Sequence, residues 1–191
     1  APDGHWLLLA DISFSMLPGT VKSLPYDPLK DFQPITQIIR SPQALVVIPS
    51  LKVANLKEFI ALAQARPGQL NYGSGGAGTA PHLSAEFFKM ATKTQITHVP
   101  YKGAADVIAG MLAGQVEMHI TSVAALVQQV NAGKLRALAV TTDGRRVPLM
   151  PDVPSMAEAG LQGLDIYTWH GLSGPAGMPR EVVNKLQAEV A

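Results

Sequence analysis

Tyr72-Gly73-Ser74-Gly75-Gly76-Ala77-Gly78-Thr79-Ala80-Pro81-His82-Leu83 is the stretch that decides the fold. Its apolar lead-in, Leu70–Gly73, reads as a short strand, and Ala80–Ala91 carries the spacing of a helix. Between them stand four glycines within the six residues 73–78. A strand, a glycine-rich turn and a helix form the repeating unit of α/β folds. The unpaired N–H groups at the start of such a helix attract anions, and glycines let a ligand come close to the backbone. A carboxylate or similar anion is the occupant this loop predicts. The alternative is a tight turn that serves only helix–sheet packing.

Sharper motifs fail on specific residues. Gly73-Ser74-Gly75-Gly76-Ala77-Gly78 matches the dinucleotide spacing G-x-G-x-x-G. That reading also needs an acidic residue about 20 positions on, at the end of the next strand, to hold a ribose hydroxyl. The next strand ends His98-Val99-Pro100-Tyr101-Lys102, with no acid. A phosphate-binding loop needs Gly-Lys-Ser/Thr, but Gly78-Thr79 lacks the lysine. A serine-hydrolase elbow needs glycine where Tyr72 stands.

Working outward, strands are expected at 95–99, 116–120 and 135–141, with helices at 104–113 and 123–132. Asn55 with Glu58 reads as a capping box opening a helix that Pro67-Gly68 ends. Upstream, 6–10 reads as a buried strand. Phe32–Ile39 and Ala44–Ile48 read as two strands broken at Ser41-Pro42, and prolines 18, 25, 28, 34 and 42 forbid a long helix across that region. Downstream come a short helix near 155–159, an extended stretch 164–172, and a last helix opened by Pro179 and running to the final residue.

Composition removes whole classes of function. Charged residues are 15% and hydrophobic ones 47%, so the chain is too apolar to be disordered. Fifteen Lys and Arg against 14 Asp and Glu leave a net charge of +1, with no surplus to neutralise nucleic-acid phosphates. No apolar run approaches the ~20 residues of a spanning helix. There is no cysteine, which excludes disulfides and thiolate chemistry. The Ala1-Pro2-Asp3-Gly4 opening carries no basic n-region and no cleavage signal, so the chain is expected to be either cytosolic or a mature or truncated product.

Other strand ends add candidates. Tyr101, after strand 95–99, offers a ring or a hydroxyl, whereas Lys102 reads as a solvated charge. Thr121 and Ser122 offer hydroxyls that could equally cap the next helix. Histidines 5, 82, 98, 119 and 170 lack metal-binding spacing, so no metal and no cofactor are expected. His119 reads as a core or cleft-edge residue, and His82 is the best placed of the five. No Asp or Glu stands where a catalytic pairing with Ser74 would need it, so no catalytic residue is assigned. The candidate ligand-binding set is Ser74, Gly75, Gly76, Ala77, Gly78, Thr79, His82, Tyr101, Thr121 and Ser122.

Several further stretches, taken together and in order, resemble the Bug-type solute-binding proteins of tripartite tricarboxylate transporters. They are Ala1-Pro2-Asp3-Gly4, Leu24-Pro25-Tyr26-Asp27-Pro28-Leu29-Lys30-Asp31-Phe32, Tyr72 to Thr79, and His98-Val99-Pro100-Tyr101-Lys102-Gly103. Ala132-Gly133-Lys134-Leu135-Arg136, Pro151-Asp152-Val153-Pro154-Ser155, and Trp169-His170-Gly171-Leu172 with Pro175-Ala176-Gly177-Met178-Pro179 complete them.

The resemblance implies an α/β, periplasmic-binding-protein-like two-lobe fold with parallel-rich sheets, one lobe incomplete in this chain. Residues 1–48 and 167–191 would form the partial first lobe, and 49–166 the second, which carries the carboxylate loop at Ser74–Thr79. The first lobe's matching glycine-rich loop would precede Ala1. The family's aromatic–acid pair near 118–120 is replaced by His119 and its neighbours. The implied function is extracytoplasmic capture of a dicarboxylate, amino acid or aromatic acid for membrane transporter subunits, in the periplasm, without enzymatic activity. A sensing or vestigial binding domain of the same fold and a nucleotide-binding enzyme are the alternatives. The chain is expected to be monomeric at full length and open to self-association as it stands, through apolar flanks such as 6–9.

Overall fold

A computed structural model describes residues 2–190. Ala1, which opens the Ala1-Pro2-Asp3-Gly4 stretch, and Ala191, where the last helix was expected to end, lie outside the described residues. The chain divides into two units, Ala1–Arg40 with Thr168–Ala191, and Ser41–Tyr167.

The larger unit is built on alternation along residues 43–47. Leu45 and Val47 belong to one apolar cluster, Ala44 and Val46 to another, and all four are fully buried. A strand buried on both faces is the central member of a covered sheet. The strand concerned is β2 (Phe32–Val47), whose second half pairs antiparallel with β5 (Met118–Ser122) on one side and β6 (Arg136–Val140) on the other. Beyond β5 lie β3 (Leu70–Ser74) and β4 (Ile96–Pro100), which run parallel to each other and to β5.

Helices cover both faces. α2 (Leu56–Ala65) and α3 (Ala80–Thr92) bury Leu56, Phe59, Ala85 and Phe88 in the first cluster. α4 (Ala104–Leu112) and α5 (Val123–Asn131) bury Val107, Met111 and Leu126 in the second. The expected box at Asn55 is present: its side chain accepts from the Glu58 N–H at 2.9 Å and donates to Glu58 Oε1 at 2.9 Å.

The smaller unit contains β1 (Leu8–Asp11), α1 (Ile12–Thr20), the first half of β2, β7 (Tyr167–Pro175, beginning at the unit boundary) and α6 (Arg180–Val190). β7 lies between β1, to which it is antiparallel, and β2.

Several expectations require correction. The break at Ser41-Pro42 does not exist, because β2 runs through it. Pro42 immediately precedes Gln43, the first residue paired with β5, so its missing N–H removes no bond from that ladder. The larger compact unit begins at Ser41, just ahead of the pairing of β2 with β5. The first strand begins at Leu8 and, among the described residues, pairs only with β7; Trp6 lies ahead of it and is 76% exposed. α1, which the proline-rich sequence does not announce, opens on Asp11 as its N-cap, whose side chain accepts from the Phe14 N–H at 3.2 Å; Pro18 stands inside it and contributes no N–H to the helix. The helix expected at 155–159 is a single capped turn: Glu158 and Ser155 bond reciprocally, but Gly160 follows at φ 91 and stops propagation.

Among the described residues no helix is long and apolar enough to cross a membrane.

Candidate functional site

The parallel strands β3, β4 and β5 end at Ser74, Pro100 and Ser122, the edge at which open α/β sheets take ligands. The glycine-rich loop leaves that edge from Ser74 and enters α3 at Thr79.

Within the loop the hydroxyls face inward. Ser74 is fully buried, and its Oγ meets the N–H and the carbonyl of Gly76, each at 3.1 Å, and His98 Nε2 at 2.7 Å. Thr79 occupies the N-cap position of α3, yet its Oγ1 makes no cap bond and donates to the Gly76 carbonyl at 2.7 Å. The Gly78 N–H donates to His82 Nδ1 at 3.3 Å. Gly76 and Gly78 adopt φ of 113 and 81, conformations that a side chain resists, although a Cβ at either position would meet nothing within 4 Å. Backbone geometry therefore requires these glycines. The N–H groups of Gly75 and Ala77 find no acceptor among the described residues.

Beneath the loop lies a polar cluster. The Tyr72 ring stacks on His98 with centroids 4.9 Å apart, and the His82 and His98 rings lie 4.5 Å apart. The Tyr72 hydroxyl donates to Glu86 Oε1 at 2.6 Å, and Lys89 pairs with the same oxygen at 2.7 Å. Burial, then the Glu86 carboxylate, push the Tyr72 phenol upward. Burial alone would raise Glu86, but hydrogen bonds from Lys89 and Tyr72 hold it below the usual carboxylate value. Burial, with the neighbouring His82, holds His98 below the ordinary imidazole value.

Of the candidate residues, 74–79 and His82 form one constellation. Tyr101 joins it through its backbone, whose N–H donates to the Ser74 carbonyl at 2.8 Å. Its ring packs instead where Gly110 lacks a side chain, and its hydroxyl donates to Gln115 at 3.3 Å. Thr121 is buried; Ser122 opens α5 without a side-chain cap bond and pairs its hydroxyl with that of Ser41 at 2.9 Å.

Sequence reasoning missed three residues. His98 was placed in no role, although β3–β4 pairing sets it beside Tyr72. Tyr72 served only as the residue that excluded a hydrolase elbow. Gln43, paired with Ser122 in the sheet, is fully buried and neither its Nε2 nor its Oε1 has a partner. Buried amides are almost always satisfied, so this one marks a position where a polar partner is expected. Among the described residues no group of three or more His, Cys, Asp or Glu side chains is arranged to hold a metal.

The family described as "Tripartite tricarboxylate transporter family receptor" matches residues 1–191. Solved structures similar to this chain include R. palustris Rpa4515 with adipate, 36% identical, with a TM-score of 0.91, covering 100% of this chain and 64% of that one. MatC (Rpa3494) from Rhodopseudomonas palustris, with bound malate, is 30% identical with a TM-score of 0.90, over 100% of this chain and 65% of its own. The periplasmic binding protein BugD is 32% identical with a TM-score of 0.90, over 100% and 63%. The fold is thus that of periplasmic binding proteins. The chain spans 56–59% of the length of the curated relatives it matches first.

Proposed function

The chain belongs to the tripartite tricarboxylate transporter receptor family, and from that membership we propose that it captures a small carboxylated organic acid in the periplasm for a transporter of that type. The observation that carries this reading is the loop 74–79. Its hydroxyls are committed to its own backbone, while the Gly75 and Ala77 N–H groups are left for an anion. Thr121, Ser122 and Gln43 line the same strand edge and serve the rest of the ligand. Adipate and malate in the similar structures fit this class of ligand.

The protein acts by binding and not by catalysis. A serine nucleophile must give its proton to a base that a third group orients, whereas the histidine 2.7 Å from the buried Ser74 Oγ, His98, hydrogen-bonds to no Asp or Glu among the described residues.

A thermal-shift panel of dicarboxylates, amino acids, aromatic acids and nicotinamide cofactors tests the reading. An acid at about 100 times its Kd should stabilise the chain by about 2.7 kcal/mol. Stabilisation by a nucleotide alone, or by no acid in the panel, would overturn it.

A further inference from the structure

A hydroxyl carries one proton and two acceptor sites. Ser74 Oγ has three partners: the Gly76 N–H, the Gly76 carbonyl and His98 Nε2. All three bonds coexist in one arrangement only. The Gly76 N–H and a His98 Nε2–H both donate to Oγ, and the hydroxyl proton goes to the Gly76 carbonyl. His98 is therefore a donor at Nε2. His82 is the opposite case: its Nδ1 accepts from the Gly78 N–H and must be unprotonated.

We propose that His82 and His98 are positioning residues of the carboxylate loop, which hold the N–H groups of Gly76 and Gly78 internally, leave those of Gly75 and Ala77 for the ligand, and release this arrangement when His82 takes up a proton. The proposal rests on the carboxylate reading of the loop and adds its regulation. An imidazolium at position 82 would set N–H against the Gly78 N–H, and the backbone at φ 81 would have to turn away. His98 keeps its bond to Ser74 in either charge state, because its donor nitrogen is protonated in both. The groups facing the pair are Tyr72 from β3 and Glu86 and Lys89 from α3. With the rings 4.5 Å apart, a charge on one opposes a charge on the other.

The test uses the full chain, labelled with nitrogen-15. At neutral pH the ring spectra should show His98 protonated at Nε2 and His82 bare at Nδ1. The Gly78 amide shift should follow the His82 ring titration. That coupling should vanish in His82→Asn, whose Oδ1 can replace Nδ1 as a non-titrating acceptor. Adipate is the second probe. His98→Phe keeps a ring against Tyr72 but loses the donor, and should weaken adipate binding about tenfold, whereas His98→Gln should stay within about twofold. Wild-type affinity should fall with acid more steeply than that of His82→Asn, the ligand's own titration being common to both. A bare His98 Nε2, a Gly78 amide indifferent to His82, or identical pH profiles in wild type and His82→Asn would overturn the proposal. If no acid binds at any pH, the carboxylate reading falls, and the ring nitrogens and Gly78 still decide whether the two histidines hold the loop.

Discussion

His119 donates from Nδ1 to the Gly73 carbonyl at 2.8 Å, while its Nε2 is buried without a partner. A proton on Nε2 would place a charge among apolar side chains, so burial pushes the ring down to about 4, against the opposing effect of the Gly73 bond. The unfolded chain protonates first, near 6.5. Stability is therefore complete above about pH 6.5 and falls as the pH drops toward 4, by an amount on the order of 3 kcal/mol. His119→Asn preserves a donor near Nδ1 without the titration. Its melting temperature should vary less between pH 7 and 4 than that of the wild type, and equal slopes would contradict the assignment. Gln43 gives a second prediction at this scale. Gln43→Leu removes an unpaired buried amide, so the melting temperature should stay level or rise while adipate binding weakens. Loss of stability with binding intact would mean that the amide has an internal role. Neither residue could be assigned this way from sequence. His119 was recognisable as a core histidine from its apolar strand, but its partner lies 46 residues away. His98 likewise stands 24 residues from Ser74, and only the pairing of β3 with β4 joins them.

At the scale of elements, α4 sits flush against the sheet because two glycines give way. A Cβ on Gly73 would lie 2.4 Å from Val107 Cγ1, and one on Gly110 would lie 2.5 Å from the Tyr101 hydroxyl. Gly73→Ala should cost about 1–3 kcal/mol in chemical denaturation, because α4 must lift from the core. Gly110→Ala should cost less, since the atom it meets first is the end of a side chain. A neutral Gly73→Ala would show that α4 is loosely held. Elements whose signals are local were legible: the Asn55–Glu58 box, the glycine-rich loop, and the helices between strands of the larger unit. Those that depend on distant pairing were not. Pro42 looked like a strand break because nothing in the sequence shows that pairing with β5 begins only at Gln43. The helix expected near 155–159 is a single turn because the reciprocal Ser155–Glu158 cap forms without a helix behind it.

For the whole molecule, both apolar clusters fall within residues 44–164 and thus inside the unit Ser41–Tyr167. Among the described residues, the other unit buries only Ala10, Ile35 and Met178 of its apolar side chains, with Leu29 89% exposed. It also contains an open apolar groove of about 590 Å³ lined by residues including Phe14, Leu29, Phe32, Trp169 and Leu172. A fragment of residues 41–167 should accordingly fold alone and melt cooperatively, and limited proteolysis of the full chain should cut first at 18–31 and 173–178. Failure of that fragment to fold would show that the flanks supply stability not visible in the packing.

If loop 74–79 receives a carboxylate through its backbone, titration with adipate must move the amide resonances of that loop. Saturable shifts are expected, largest at Gly75 and Ala77 and lost in Gly78→Val, whose side chain cannot accept φ 81. Saturable binding with the loop amides unmoved, or undiminished binding in a folded Gly78→Val chain, would contradict it.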